Sequence, residues 1–348
     1  MRRKPVTLAL ALVIAAAPTF AQTSDQPVRS RSLGAAFDGL PGPFNAITDV
    51  PGVLVGHTTV VEGEGKHAVR TGVAAVLPRR ELGYYPAATF VLNCDAEVSG
   101  AIFAEEFGML RSPIMLTGTA SNGTVFTSVI KWSFDRHPQR PIHMPVVTDT
   151  WDADLSDAFA FPLTDAHVRT ALDGARTGPV TEGSVGGGTG MICFEFKGGI
   201  GTASRRVTSK EASYTVGVLV QCNQAARADL LVSGRPVGKA LADLPIRWPD
   251  PEVRGPEKAG SIIIVVGTDA PLAPSTLKAV AKRAALGLAR TGGNASAFSG
   301  DVVIAFSTAR LDYDKQTFKN QAEPTLKGRG GSVAYALPHD RLRKLLSR

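Results

Sequence analysis

Short runs of β-branched and other apolar residues, each bounded by glycine, proline or asparagine, alternate along the chain with segments of helical period. Runs of this kind predict buried strands. Before residue 223 they occupy residues 53–55, 73–77, 89–92, 113–117, 144–147 and 213–220. Apolar side chains at helical spacing predict helices over residues 124–136 and 165–175. The alternation favours an α/β or α+β fold.

The densest pattern lies in the last third of the chain. Residues 262–266 are all isoleucine or valine, Pro274 opens a segment of helical spacing, and residues 302–306 form a second buried run. A strand, a helix and a strand within about 45 residues predict a compact unit whose two strands begin at defined ends of one sheet.

The segment before that unit has the composition of an exposed loop. Residues 246–260 contain three prolines and six charged residues. Such a segment is typical of a linker that lies on the surface and is open to cleavage.

The first 21 residues have the pattern of a secretory signal. A basic start is followed by an apolar run over residues 6–17 and by small residues at Thr19 and Ala21. The run is shorter than the roughly 20 residues of a membrane-spanning helix, which argues against an anchor. We therefore expect cleavage after Ala21 and a soluble mature protein, periplasmic or secreted, that begins at Gln22.

Composition and charge exclude several classes of protein. With 44% hydrophobic and 20% charged residues, the 348-residue chain can bury a large core, and disorder, collagen and coiled coil are excluded. Its formal charge is +7; removal of Arg2, Arg3 and Lys4 with the signal leaves 35 basic and 31 acidic residues, or +4. That balance is too mild to indicate a nucleic-acid partner, and no later segment predicts a membrane partner.

Cysteine and histidine usage gives no support for a metal or another cofactor. The three cysteines, Cys94, Cys193 and Cys222, form no C-x-x-C pair, which excludes a disulfide framework and a thiolate zinc site and allows at most one disulfide. The six histidines are scattered without an H-x-x-x-H pair, which also leaves a Ser-His-Asp triad without an obvious base. We predict no cofactor.

Two serines are candidate nucleophiles. Ser184 lies in a glycine-rich loop, but Glu182 stands where the G-x-S-x-G motif requires glycine, and the loop also fails the phosphate-binding patterns. Ser261 follows Gly260 at the start of a buried strand. If the chain were cut between them, Ser261 would carry a hydroxyl and an α-amine of pKa near ~8, which combines nucleophile and base.

Three further polar residues could complete a site around Ser261. Ser299 and Asp301 are two apart at a predicted strand start, so their side chains share one face. Asn223 ends another strand and is either a turn former or an oxyanion-hole amide.

Five ordered motifs make the chain similar to a known family. They are GPFNAITDVPGV at residues 42–53, RTGV at 70–73, GGGTGM at 186–191, GTASR at 201–205 and the pair Gly260-Ser261. Together they resemble the DmpA-like family of aminopeptidases and β-aminopeptidases, relatives of the N-terminal nucleophile hydrolases, over residues from about 38 to about 340.

The resemblance implies an α+β fold, a four-layer αββα sandwich. It implies a precursor that cuts itself between Gly260 and Ser261 into an α chain, residues 22–260, and a β chain, residues 261–348, and that assembles as a tetramer of αβ pairs. Carried over by position, Ser261 is the nucleophile, Ser299 and Asp301 are its proton-transfer partners and Asn223 is the oxyanion-hole amide.

In the same resemblance Asp149 holds the free amine of the substrate, next to Trp151. Asp149 and Asp301 stand where the family usually has glutamate, and Trp151 stands where the D-aminopeptidase has tyrosine. The expected enzyme is an exported, self-processing serine aminopeptidase acting on short peptides, amides or esters with a free N-terminal amine. The residue released is a β-amino acid or a small L-amino acid. Alternatives are a degenerate exported binding protein on this fold and a hydrolase that uses Ser184.

Overall fold

The computed structural model describes residues 29–35, 37–142, 144–208, 212–245 and 260–309. The predicted signal, the linker up to residue 259 and residues 310–348 lie outside the described residues.

Within this part the chain forms twelve strands and five α-helices. The strands are β1 (Leu54–Glu62), β2 (Val69–Leu77), β3 (Tyr85–Cys94), β4 (Met109–Leu110), β5 (Ile114–Gly118), β6 (Val146–Thr150), β7 (Ile192–Cys193), β8 (Phe196–Lys197), β9 (Gly199–Thr208), β10 (Ser213–Asn223), β11 (Gly260–Thr268) and β12 (Ser299–Ser307). The helices are α1 (Ala101–Phe107), α2 (Asn122–Arg136), α3 (Asp165–Asp173), α4 (Val237–Ala240) and α5 (Pro274–Arg290).

The strands form two main sheets. One has four strands in the order β1-β2-β5-β6, and the other has six in the order β4-β3-β12-β11-β10-β9. The separate hairpin of β7 and β8 belongs to neither. In the six-stranded sheet β11 and β12 are parallel and are joined through α5, which confirms the predicted strand-helix-strand unit.

Three clusters of buried side chains define four layers. One cluster lies between the sheets and joins Val76 and Leu116 to Ile263 and Ile304. A second packs α2 and α3 on the outer face of the four-stranded sheet, and a third packs α5 on the outer face of the six-stranded sheet. The arrangement is the expected αββα sandwich.

The local sequence explains the central elements. All nine residues of β11 and of β12 are buried, because one face of each strand meets the other sheet and the opposite face meets α5. A strand buried on both faces is continuously apolar rather than alternating. Helix α5 has Pro274 in its first turn, where proline costs no hydrogen bond.

Several elements differ from the sequence-based expectation, among them β6 and β9. Strand β6 begins at Val146 and continues to Thr150, beyond the predicted 144–147, so it includes Asp149. Strand β9 was not predicted, because its exposed and half-exposed positions include Arg205 and Arg206 and its buried ones include small polar residues such as Ser204. None of the described helices has the length and apolar character needed to cross a membrane.

Candidate active site

Ser261 lies at the start of β11, in the middle of the six-stranded sheet. It is paired with Asn223 on β10 and with Gly300 on β12. The Ser261 side chain is buried, and the Gly300 N–H donates a hydrogen bond to its Oγ at 3.2 Å. The nucleophile candidate is thus held by the strands on both sides of it.

Close backbone packing explains the two glycines around Ser261. A Cβ on Gly260 would lie 2.6 Å from the Cα of Gln224 and 2.8 Å from the carbonyl oxygen of Asn223. A Cβ on Gly300 would lie 2.6 Å from the carbonyl oxygen of Asp95. Both positions lack room for a side chain, so glycine lets the strand ends approach each other.

The orientation of the Asn223 carboxamide is fixed by a backbone donor. Its Oδ1 accepts the Ile192 N–H at 2.7 Å, and because that N–H can only donate, the amide nitrogen Nδ2 points the other way. Nδ2 has no hydrogen-bond partner in the described part of the chain. Asn223 and Ser261 are direct partners on antiparallel strands, so their side chains share one face with Cβ atoms about 5 Å apart. This arrangement favours the oxyanion-hole interpretation over the turn former.

Ser299 and Asp301 form the pair that their spacing predicts. The Ser299 hydroxyl donates to Asp301 Oδ1 at 2.8 Å, and both side chains are buried. Asp301 Oδ2 is buried without a partner among the described residues. Burial raises the pKa of Asp301, while hydrogen bonds from Ser299 and the Ile262 backbone lower it, and burial prevails.

The strand register determines on which face of the sheet this pair lies relative to the Ser261 hydroxyl. Ser261 is paired with Gly300, so Ser299 and Asp301 lie on either side of that partner, opposite Gly260 and Ile262. Because side chains alternate along a strand, the pair projects on the other face of the sheet from the Ser261 hydroxyl. It therefore flanks the Ser261 backbone, where the α-amine of a cleaved chain would lie.

Asp149 lies at the end of β6, in the other sheet, and is only 1% exposed. Its Oδ1 accepts the Glu97 N–H at 3.0 Å and the Asn122 Nδ2 at 2.6 Å, and its Oδ2 accepts the Thr119 hydroxyl. The sequence predicted a carboxylate reaching an open cleft. Instead the start of α2 encloses Asp149, where the helix dipole favours a negative charge.

One short segment connects the two groups of polar residues. The Asp95 N–H donates to the Ser299 carbonyl at 3.2 Å, and two residues later the Glu97 N–H donates to Asp149. Asp149 and the Ser261 group are thus joined through residues 95–97, although no hydrogen bond connects them directly in the described chain.

Comparison with known proteins assigns the family. Residues 45–345 match peptidase family S58. The chain belongs to peptidase family S58. The beta-peptidyl aminopeptidase BapA of Sphingosinicella xenopeptidilytica is 40% identical over 98% of this chain and 95% of its own length. BapA of Sphingosinicella microcystinivorans is 41% identical over 92% of both.

Solved structures agree with this assignment. A Burkholderia sp. beta-aminopeptidase superposes with a TM-score of 0.81 at 39% identity, covering 92% of this chain and 87% of that one. The L-aminopeptidase D-Ala-esterase/amidase of Ochrobactrum anthropi, a prototype for the serine aminopeptidases and a variant of the Ntn hydrolase fold, gives 0.76 at 40% identity over 83% and 81%. This S58 peptidase is accordingly a serine-type aminopeptidase with an Ntn hydrolase fold.

The other serine candidate of this S58 peptidase lies in a structural loop. The Ser184 hydroxyl donates weakly to the Gly198 carbonyl at 3.4 Å and makes no hydrogen bond to an acid or histidine side chain among the described residues. The following glycines pack closely, since a Cβ on Gly187 would lie 2.5 Å from the Leu116 carbonyl oxygen and one on Gly186 would lie 2.6 Å from His57 Nδ1. The loop is glycine-rich because it lies between crowded elements.

Trp151 is 38% exposed, next to the buried Asp149. Its indole N–H donates to Asp154 at 3.4 Å, and its ring lies 6.1 Å from that of Phe159, which in turn lies 6.4 Å from Phe161. Both phenylalanines are exposed. Trp151 is thus one end of an aromatic surface, which sequence reasoning did not recognise.

Two buried polar residues near the S58 site also escaped the sequence analysis. Gln221 donates to the Thr117 carbonyl and to the Thr150 hydroxyl, both at 2.9 Å, and so connects the two sheets. Asp152 accepts the Thr71 hydroxyl at 2.6 Å, and burial, assisted by Asp149 and Asp154, raises its pKa to about 6. For Gln221, the signal available in the sequence was a glutamine within an apolar strand.

Proposed function

We propose that this S58 aminopeptidase is made as a single chain that cuts itself between Gly260 and Ser261, and that Ser261 is the nucleophile in both self-cleavage and peptide hydrolysis. The observation that carries the proposal is the pairing of Ser261 with Asn223 and Gly300. The Gly300 N–H donates to the Ser261 hydroxyl, and the Asn223 side chain lies on the same face of the sheet as Ser261, which supports a nucleophile beside an oxyanion-hole amide.

In the proposed self-cleavage, Ser261 Oγ attacks the carbonyl carbon of Gly260. The bond from that carbon to the Ser261 nitrogen breaks, the hydroxyl proton passes to the nitrogen, and Gly260 is held as an ester on Oγ. Water then cleaves the ester, which leaves a carboxylate on Gly260 and a free α-amine on Ser261. Gly260 carries no side chain next to the carbonyl carbon that is attacked.

In the mature enzyme the α-amine of Ser261 takes the proton from Oγ as Oγ attacks the substrate carbonyl. The Asn223 Nδ2 stabilises the negative oxygen that develops, a contribution commonly worth 10²–10³-fold in kcat (order of magnitude). The hydrogen-bonded Ser299 and Asp301 lie beside the Ser261 backbone and hold the α-amine. The released amine carries away the proton, and water hydrolyses the acyl-enzyme.

We further propose that Asp149 binds the substrate's ammonium group and that Trp151 lies beside this group, which makes the enzyme an exopeptidase.

The curated relatives are beta-peptidyl aminopeptidases, and one structural neighbour is a beta-aminopeptidase. Aspartate at 149 is one methylene shorter than glutamate, which leaves room for the longer backbone of a β-amino acid. The residue released is therefore a β-amino acid or a small L-amino acid. Hydrolysis of chromogenic anilides of β-alanine and L-alanine distinguishes the two.

Two cellular features complete the proposal. The pattern of residues 1–21 supports export to the periplasm or medium, and a disulfide between Cys193 and Cys222 suits such an oxidising compartment. We expect the mature enzyme to be a tetramer of αβ pairs.

The deciding experiment is a denaturing gel of the purified protein with N-terminal sequencing of its bands. We expect chains of 239 and 88 residues, residues 22–260 and 261–348, that begin at Gln22 and Ser261. Ser261→Ala should give one uncut chain without measurable peptidase activity, because both reactions use the same hydroxyl. Ser184→Ala is the matched control and should be cut and active. An uncut wild type, or cleavage of Ser261→Ala, would exclude Ser261 as the nucleophile.

A further inference from the structure

A disulfide lies directly beside the proposed oxyanion-hole amide. Cys193, in β7, is bonded to Cys222, in β10, with Cα atoms 5.6 Å apart, the usual separation for a disulfide. Cys222 immediately precedes Asn223, and Cys193 immediately follows Ile192. The bond therefore links the two chain segments that meet in the hydrogen bond from the Ile192 N–H to Asn223 Oδ1.

The Ile192 N–H belongs to a short hairpin outside the two main sheets. Strands β7 and β8 pair through only two residues each and belong to neither sheet. An isolated two-stranded hairpin is at best marginally stable. Met191, directly before Ile192, is fully buried, and its sulfur accepts the Thr150 hydroxyl at 2.8 Å. On the other side of Ile192, besides the disulfide, the Phe194 N–H donates to the Gln224 carbonyl at 2.7 Å, and Arg227 donates to the Glu195 carbonyl at 3.1 Å and lies over the Phe196 ring. The two hydrogen bonds lie two and three residues further along the chain than Ile192, whereas the disulfide is formed by the adjacent Cys193.

The position of Ile192 determines which way the Asn223 carboxamide faces. With the N–H in place, oxygen is the only end of the amide that can face it, so Nδ2 is directed away from Ile192, on a side chain that lies on the same face as Ser261. Rotation about χ2 of asparagine has two broad energy minima of similar depth. If Ile192 withdraws, the Asn223 amide can therefore rotate and turn its oxygen toward the substrate oxyanion. A preorganised donor would then be lost.

We propose that the Cys193–Cys222 disulfide is a positioning element of the active site, which holds the Ile192 N–H against Asn223 and so keeps Nδ2 directed at the oxyanion. The inference rests on the proposed role of Asn223. Reduction by a dithiol such as dithiothreitol should remove this constraint. The reagent loses two electrons and two protons and becomes a cyclic disulfide, and Cys193 and Cys222 become thiols. We expect kcat to fall about tenfold to a hundredfold with KM nearly unchanged, and to recover on reoxidation.

The test starts from the processed, assembled enzyme, so that folding and self-cleavage have already taken place. Thiol titration should count one free thiol before reduction, that of Cys94, and three after it. Cys94→Ser is the matched control, because the Cys94 side chain is exposed and unbonded; its kcat should fall on reduction by the same factor as that of the wild type. Circular dichroism at the assay temperature verifies that the reduced enzyme is folded.

A cycle with Asn223→Ala separates this inference from the proposed function. We expect Asn223→Ala to lower kcat about a hundredfold or more and to respond no further to reduction, since the two changes act through one amide. If Asn223→Ala leaves kcat unchanged, the role proposed for Asn223 is wrong. If Asn223→Ala lowers kcat but reduction does not, or if the two losses multiply, the positioning role of the disulfide is overturned. Cys193→Ser with Cys222→Ser provides a second measurement without reductant.

Discussion

At the scale of single residues, Asp149 is held by the protein and is proposed to bind the substrate. Its carboxylate accepts three hydrogen bonds from Glu97, Asn122 and Thr119, and an ionised carboxylate offers about four lone-pair sites. One acceptor position therefore remains for a substrate ammonium group. In such a buried setting a charge-assisted hydrogen bond contributes about 1.5–3 kcal/mol.

Replacing Asp149 should therefore separate substrate binding from self-cleavage. We expect Asp149→Asn to lower kcat/KM for free-amine substrates by roughly tenfold to a hundredfold and to leave self-cleavage intact, because the precursor bond presents no free amine. N-acetylated substrates should not be cleaved by the wild type. Glu106→Gln, on the exposed surface of α1, is the control and should change neither reaction. Equal turnover of acetylated and free-amine substrates would show that Asp149 does not select for the amine.

His57 makes the stability of the fold depend on pH. Burial, assisted by the charge of Arg176, lowers the pKa of His57 from 6.5 to about 4, and both ring nitrogens are buried without a partner among the described residues. Between pH 6.5 and 4 the unfolded chain binds a proton at His57 that the folded chain does not. The contribution of this group to the free energy of unfolding is therefore complete above pH 6.5 and is lost as the pH falls toward 4. The loss from this group is at most about 3 kcal/mol.

Urea unfolding of the uncut Ser261→Ala chain at several pH values measures this dependence. We expect His57→Gln to reduce the decrease in unfolding free energy between pH 6.5 and 4. His137→Gln, at an exposed position after α2, is the control and should retain the decrease. An unchanged slope in His57→Gln would mean that the ring is not held neutral.

At the scale of elements, the start of β11 depends on close contact between backbones. A methyl group at Gly260 would meet the Cα of Gln224 at 2.6 Å, and backbone atoms cannot move aside without displacing the end of β10. We expect Gly260→Ala to slow self-cleavage at least tenfold, because the displaced backbone would change the position of the Gly260 carbonyl relative to Ser261 Oγ. Gly287→Ala is the control, since no atom lies within 4 Å of its Cβ position. It should cleave normally and stabilise α5 by about 1 kcal/mol. A gel time course of both variants provides the measurement, and normal cleavage of Gly260→Ala would exclude the packing argument.

The same elements show what the sequence can predict and what it cannot. β11, α5 and β12 were predictable because burial on fixed faces imposes an apolar pattern, and the Ser299–Asp301 contact was predictable because both residues lie on one strand. The Ile192–Asn223 contact and the enclosure of Asp149 by α2 join residues far apart in the chain. Such contacts depend on sheet register and layer packing, which residue spacing does not encode.

At the scale of the whole molecule, the order of strands determines what self-cleavage does to the fold. In the sheet order β4-β3-β12-β11-β10-β9, the proposed β chain supplies β12 and β11, and the proposed α chain supplies the strands on both sides. A cut at Gly260 breaks the covalent chain but leaves the ladders of β3 with β12 and of β10 with β11 intact. The two chains should therefore behave as one folding unit.

This topology predicts that the cut chains stay together without a covalent link. Separation would expose the centre of a sheet whose β11 and β12 are buried along their whole length, so the loss of apolar burial opposes it. The disulfide does not link the two chains, because Cys193 and Cys222 both lie in the α chain.

Size-exclusion chromatography with light scattering should give one species with the mass of four αβ pairs, and both chains should appear in equal amounts when its peak is run on a denaturing gel. Reduction without denaturant should not release the 88-residue chain, whereas urea should release it at the concentration that unfolds the sheet. Release of the β chain while the α chain remains folded would mean that the two central strands are not integral to the sheet.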